Sequence, residues 1–262
     1  MPSFEGRGFS MHYEVGGSGP PLLLIPGMLS DSATWLPVVG PLETAFTVIR
    51  PDNRATGRSQ GTEDFLLPDC ADDLAALLDH LGLDGVHVAG HSMGGYLALM
   101  LADRVGPRLA SISLLASAPA NGARNAMIFN EVLKLRRDGP PMQWLRVLYP
   151  WLQSPGFFAD AGNMEQIVLL TQAYPHAQSL TSMARQIKAL RGFTPRNGAT
   201  PLPCPAQAVL AGRDLLFPVA DAKAALGDVP WLKFHVVEEA AHAIHWEAPG
   251  PVISRLRAIA GL

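Results

Sequence analysis

The sequence predicts a doubly wound α/β fold, with a mostly parallel sheet, helices on both faces and one inserted helical block. Three observations predict it. Short apolar runs recur along the 262 residues, and most are continuous rather than alternating, the pattern of strands covered on both faces. Stretches with apolar residues at helical spacing lie between several of these runs, which implies strand–helix–strand units. The alternation breaks once, near residue 120, and resumes near 206.

Taken in order, the runs at residues 22–25 and 46–49 read as the first strands. Residues 67–81 read as a helix, because apolar side chains fall at 67, 70, 71, 74, 77, 78 and 81. Pro68 with Asp69, Asp72 and Asp73 suits its start, and Gly82 its end. A strand at 86–89 and a helix-like run at 95–102 flank a glycine-rich turn, and further strands follow at 112–115, 206–210 and 232–237. Residues 120–200 are mostly helix-like, rich in Trp, Phe and Met, and broken by Gly139-Pro140-Pro141 and Ser154-Pro155-Gly156. The reading is a core of residues 1–119 and 201–262 joined in one sheet, with a helical cap at 120–200.

An apolar fraction of 48% against 16% charged residues suits a well-buried interior and argues against disorder. A net charge of −3, with no Lys/Arg-rich run, argues against nucleic-acid partners. No stretch approaches the roughly 18 apolar residues of a membrane span. Glu5 and Arg7 stand where a signal peptide needs an apolar run, so the expected protein is soluble and cytoplasmic. Cys70 and Cys204 have no metal-like spacing and read as core thiols; no metal or other cofactor is expected. A homo-oligomer is compatible with all of this.

Gly90-His91-Ser92-Met93-Gly94 follows the strand at 86–89 and precedes a helix, matching the G-x-S-x-G elbow that presents a nucleophilic serine above a sheet. A serine hydroxyl needs a base at neutral pH, and imidazole can take its proton and return it to the leaving group. Eight histidines compete. His235 and His87 lie within strand-like runs, His12, His80 and His176 precede any plausible acid, and His91 reads as support for the elbow. With a serine elbow the chain order is nucleophile, acid, histidine, each beyond the carboxyl end of a strand. Asp214 follows the strand at 206–210 and His242 the strand at 232–237, so these are the predicted acid and base. His245 is the rival base, and Glu238 and Glu239 the fallback acids. The tetrahedral oxyanion needs two backbone donors: Met93 N–H at the helix start, and Met28 N–H in the Pro26-Gly27-Met28 turn, where Pro26 has no N–H to offer.

Together these elements resemble the α/β-hydrolase superfamily, in the group holding carboxylesterases, enol-lactonases, aminoacrylate hydrolases and cofactor-free haloperoxidases. The likeness includes residues 52–59, which look like the family's D-x-R-G-x-G-x-S turn, and His242 with Glu247-Ala248-Pro249, which look like its H-x4-E-x-P ending. The chain departs from the pattern at Pro26, where a histidine usually stands, and at Ala55 and Ala241, where glycines do. The resemblance implies a hydrolase acting on a small-molecule acyl substrate through an acyl-enzyme. Perhydrolase or lyase chemistry with the same residues, and a non-catalytic ligand receptor, remain the alternatives. Trp144, Trp151 and Phe158 are candidate substrate contacts in the cap. Its nine Lys/Arg against four Asp/Glu in 121–200 suggest a preference for anionic substrates.

Overall fold

The structure, a computed structural model, describes residues 3–6, 8–59, 63–190, 201–227 and 229–262. Strands β1 (Ser3–Glu5), β2 (Ser10–Gly17) and β3 (Pro21–Ile25) open the chain, followed by a 3-10 turn at Ser32–Trp35, helix α1 (Leu36–Glu43) and β4 (Thr47–Pro51). Next come α2 (Leu67–Leu81), β5 (Val86–His91), α3 (Met93–Val105) and β6 (Leu109–Leu115). The inserted helices are α4 (Gly122–Asp138), α5 (Gln143–Leu152), α6 (Pro155–Phe158), α7 (Gly162–Ala173) and α8 (Leu180–Leu190). The chain closes with β7 (Ala206–Ala211), α9 (Val219–Leu226), β8 (Leu232–Val237), α10 (Ile244–Glu247) and α11 (Pro249–Ile259).

Eight strands form one sheet in the order β1-β2-β4-β3-β5-β6-β7-β8. The two N-terminal pairings are antiparallel, and every pairing from β4 to β8 is parallel. The continuous apolar runs have the expected cause. In β3, Leu23 and Ile25 face one core cluster with Leu74, Leu77 and Leu97 of α2 and α3, while Leu22 and Leu24 face a second with Val38 and Leu42 of α1 and Val252 of α11. Each such leucine, removed from water, contributes about 2 kcal/mol.

The six predicted strands are present, with β4 starting after Phe46 and β6 starting earlier, at Leu109. The N-terminal antiparallel strands were not expected. The outer part of β2 alternates between half-buried and exposed residues and shows no apolar run to read. Helix α2 matches residue for residue: the Asp69 carboxylate accepts the Leu66 N–H at 2.7 Å and Gly82 closes the helix at φ 61°. The inserted helices carry a small cluster of their own, built on Val132, Leu148, Met183 and Ile187. They leave and re-enter the sheet between neighbours, since β6 pairs directly with β7. The last part of the expected cap, 191–200, lies outside the described residues. No helix among the described residues is long and apolar enough to cross a membrane.

Candidate active site

One residue separates β5 from α3, and it is Ser92. Its backbone sits at φ 53° and ψ −120°, a strained conformation for a residue with a side chain. Small neighbours make the turn possible: a Cβ on Gly90 would run into the Gly94 carbonyl, and one on Gly94 into the Ile25 carbonyl. Hydrogen bonds hold the strain in place. Ser92 N–H donates to Leu115 O at 3.0 Å, and Ser92 O accepts from Ser117 Oγ at 2.7 Å.

The structure brings Asp214 and His242 together, with Asp214 Oδ2 2.9 Å from His242 Nδ1 and both side chains buried. Asp214 Oδ1 accepts the N–H groups of Leu216 (2.8 Å) and Phe217 (3.0 Å), so the carboxylate is locked by its own loop. Burial works against its charge, but His242 and these two amides outweigh that and hold the carboxyl below its usual range. The His242 ring stacks on Phe217, and its carbonyl accepts a hydrogen bond of 2.8 Å from His91 Nε2. The histidine is thereby tied to the residue preceding Ser92. With Nδ1 on the carboxylate, Nε2 is left for a second partner.

His245, the rival base, has a different environment. Its Nε2 lies 2.9 Å from Thr34 Oγ1, its ring packs on Trp35 and His91, and burial pushes its basicity well below normal. Burial, reinforced by His242, likewise lowers His91 to about 3, so both are neutral buried rings. Glu238 and Glu239 are exposed, and Glu239 pairs with Arg213.

The turn holding Met28 lies against the elbow: a Cβ on Gly27 would stand 3.0 Å from His91 Nδ1 and 3.2 Å from Ser92 Cβ. Met93 opens α3, where the first N–H groups lack intrahelical acceptors. Pro26, without the family's histidine, is held otherwise: Asn53 Nδ2 donates to its carbonyl at 3.1 Å. Ala55 takes φ 61°, the left-handed conformation a glycine would adopt freely, whereas Ala241 needs no glycine because its φ is not positive.

The inserted helices reach each loop. Arg124 and Asn125 of α4 donate to the carbonyls of Leu215 and Leu216 beside Asp214. Ala243 N–H donates to Leu152 O at the end of α5, and Glu247 accepts both Ser154 N–H (2.7 Å) and Ala241 N–H (2.6 Å). Gln186 of α8 accepts Leu29 N–H at 2.9 Å. Of the candidate substrate contacts, Trp151 packs on the cluster that contains Met93, Trp144 lies under Arg136 against the insertion's own core, and Phe158 is 39% exposed beside Phe157. Among the described residues, the basic side chains of the insertion have partners, and Asp64 is the one carboxylate these pairs draw from outside it. Lys134, Arg137, Arg146, Arg185 and Lys188 pair with carboxylates, and Arg124 and Arg136 donate to carbonyls. Sequence reasoning missed Gln186, though a polar residue on the buried stripe with Met183 and Ile187 is the signal that marks it.

With this geometry in place, the comparisons with known proteins are informative. The model of the Alpha/beta hydrolase family matches residues 22–255. RutD of Azorhizobium caulinodans, named as a carbamate hydrolase, is 27% identical over 95% of this chain and 94% of its own. A thermophilic esterase from Thermogutta terrifontis, solved with malate bound, superposes with a TM-score of 0.82 at 27% identity, covering 95% of this chain and 92% of that one. The enol-lactonase from Burkholderia xenovorans LB400 shares the fold over the whole of both chains, with a TM-score of 0.86 at 19% identity. The chain belongs to the alpha/beta hydrolase family and is a hydrolase.

Proposed function

We propose that this hydrolase is a serine enzyme that cleaves a small-to-medium ester, lactone or related acyl bond through an acyl-enzyme. Ser92 attacks the carbonyl carbon, and His242 takes the hydroxyl proton and delivers it to the leaving group. Asp214 fixes the tautomer of His242 and stabilises the imidazolium. The amides of Met28 and Met93 receive the oxyanion, and water, activated by His242, releases the acid. The inserted helices act as a cap that shapes the substrate side.

The observation that carries this reading is the buried 2.9 Å contact between Asp214 and His242 beside a serine on a strained elbow. A structural aspartate–histidine pair has no reason to sit next to such a turn. The likeness to RutD supports including carbamates among the substrates. A fluorophosphonate probe, which reacts with activated serines, should label the protein and fail on Ser92→Ala. A panel of p-nitrophenyl esters, lactones and an aryl carbamate should then be hydrolysed by the wild type alone. Labelling that survives Ser92→Ala would overturn the assignment.

A further inference from the structure

The loop after β3 is shaped by residues far away in sequence. Leu29 adopts φ 60°, which a leucine holds only under constraint. Its N–H donates to Gln186 Oε1 at 2.9 Å, and Gln186, on α8, is 1% exposed. The same oxygen accepts Gln178 Nε2 at 3.2 Å, and that nitrogen also donates to Ala55 O at 2.8 Å. Two residues on, Asp31 Oδ2 accepts the hydroxyl of Tyr174 at 2.6 Å. The glutamine pair thus joins two of the three loops in which this chain departs from the family pattern, those of Pro26 and Ala55.

The pair is a poor choice for stability alone. Gln186 Nε2 and Gln178 Oε1 are buried without partners, and unmet polar groups of this kind are costly in a folded interior. A methionine at 186 would fill the same space with no such loss. What methionine would lack is the acceptor for Leu29 N–H.

We infer that Gln186 is a positioning residue for the oxyanion site, holding the Leu29 peptide so that the adjacent Met28 N–H points at the reacting carbonyl. The inference rests on the proposed serine mechanism. Without the acceptor, φ at Leu29 relaxes, the neighbouring torsions compensate, and the Met28 amide swings off its target. Because the acceptor lies on α8, the donor is aligned only while that helix is docked.

The test compares Gln186→Met, Gln186→Glu and Gln178→Met with wild type, using p-nitrophenyl butyrate as substrate and an alkyl trifluoromethyl ketone, whose adduct with a serine carries an oxyanion. Removing an oxyanion donor outright lowers kcat about a hundredfold or more, so misaligning one should cost about tenfold. For Gln186→Met, kcat and kcat/KM should fall together with KM unchanged, and the ketone should weaken by the same factor. Tm should shift by no more than about 4 °C. Gln186→Glu, which keeps an acceptor, should recover most of the loss, and Gln178→Met should show a smaller loss of the same kind. Unchanged kcat and ketone affinity, or a loss confined to KM, would overturn the inference. Should Gln186→Met fail to fold, Gln178→Met decides it, and an unchanged ketone affinity there counts against it. Failure of the serine mechanism itself reads differently: the wild type would then neither label with fluorophosphonate at Ser92 nor bind the ketone.

Discussion

The proposed acid–base side of the site and the proposed oxyanion side are framed differently. Asp214 is fixed by amides two and three residues ahead, and the Ala241 amide just before His242 is held by Glu247, six residues on. The Pro26–Ser30 turn has one long local hydrogen bond, Ser30 Oγ to Met28 O at 3.3 Å, and two partners from distant segments. Asn53 holds it at one end, and Gln186, 157 residues away, holds Leu29. On the proposed mechanism, the proton-moving groups thus carry hydrogen bonds within their own loops besides those from the insertion, while the Leu29 N–H beside the proposed oxyanion donor is met by the insertion. Local frames form wherever the strand ends form, whereas a distant brace is present only in the assembled fold.

The largest effects should fall on the self-framed side. Asp214→Asn preserves the shape of the loop but reverses the hydrogen bond to His242, so kcat on a p-nitrophenyl ester should drop about 10³–10⁴-fold with an unchanged circular dichroism spectrum. His242→Ala should be at least as severe, while His245→Gln should keep activity within a few-fold of wild type, since His245 contacts Thr34 rather than the carboxylate. The opposite ranking of the two histidines would dissolve the contrast drawn here.

Glu247 tests whether the histidine loop is framed as tightly as it looks. Its carboxylate accepts one amide from that loop and one from the inserted segment. Hydrogen bonds to a charged group contribute about 1.5–3 kcal/mol each, so Glu247→Ala, part of which is screened by solvent, should destabilise by about 2–4 kcal/mol in urea unfolding. A cost below about 1 kcal/mol would mean that the sheet alone orders the loop.

The two plans also explain what could be read from the sequence. The places of Ser92, Asp214 and His242 just beyond β5, β7 and β8 were legible because each follows a strand-like run, and local spacing then does the rest. Helix α2 was legible because its stripe, start and stop agree. Strands β1 and β2 were not, since β1 is a three-residue edge and the outer half of β2, half-buried and exposed in turn, carries no apolar run. Gln186 was not assigned because nothing near residue 186 mentions residue 29; only the docked α8 does. The net positive charge of the insertion was visible in the sequence, whereas the partners of its side chains, Glu165, Asp64 and two carbonyl groups among them, appear only in the fold.

A smaller effect comes from the buried rings around the elbow. His91 is pushed down to about 3 and His245 is also lowered, so the folded state keeps both neutral where the unfolded chain, near 6.5, takes up protons. Their contribution is fully present above about pH 6.5 and declines as pH falls toward the folded values. Asp214 acts lower down: its depressed value stabilises the fold above the unfolded value of about 3.9, and that is lost as pH drops further. Unfolding free energy should therefore fall between pH 6.5 and 4 by about 1.4 kcal/mol per pH unit for each proton taken up. His245→Gln should reduce that slope by one proton. An unchanged slope would mean that His245 is not the neutral ring its surroundings require.

The smallest effect is expected at Ala55, where the second loop of the glutamine bridge bends. An alanine at φ 61° is strained by roughly 1–2 kcal/mol, which glycine would relieve. Glycine gives back roughly 0.4–1 kcal/mol through the greater freedom of the unfolded chain. It also surrenders a methyl packed in the core cluster, worth about 0.8 kcal/mol. The three terms nearly cancel, so Ala55→Gly should change stability by less than about 0.5 kcal/mol. It should also leave kcat unchanged, because the carbonyl that receives Gln178 belongs to the backbone and survives the substitution. A gain above about 1 kcal/mol would show that the packed methyl contributes little. A loss of kcat at constant stability would show instead that the bend at residue 55 is transmitted through Gln178 and Gln186 to the oxyanion turn, extending the distant frame by one more loop.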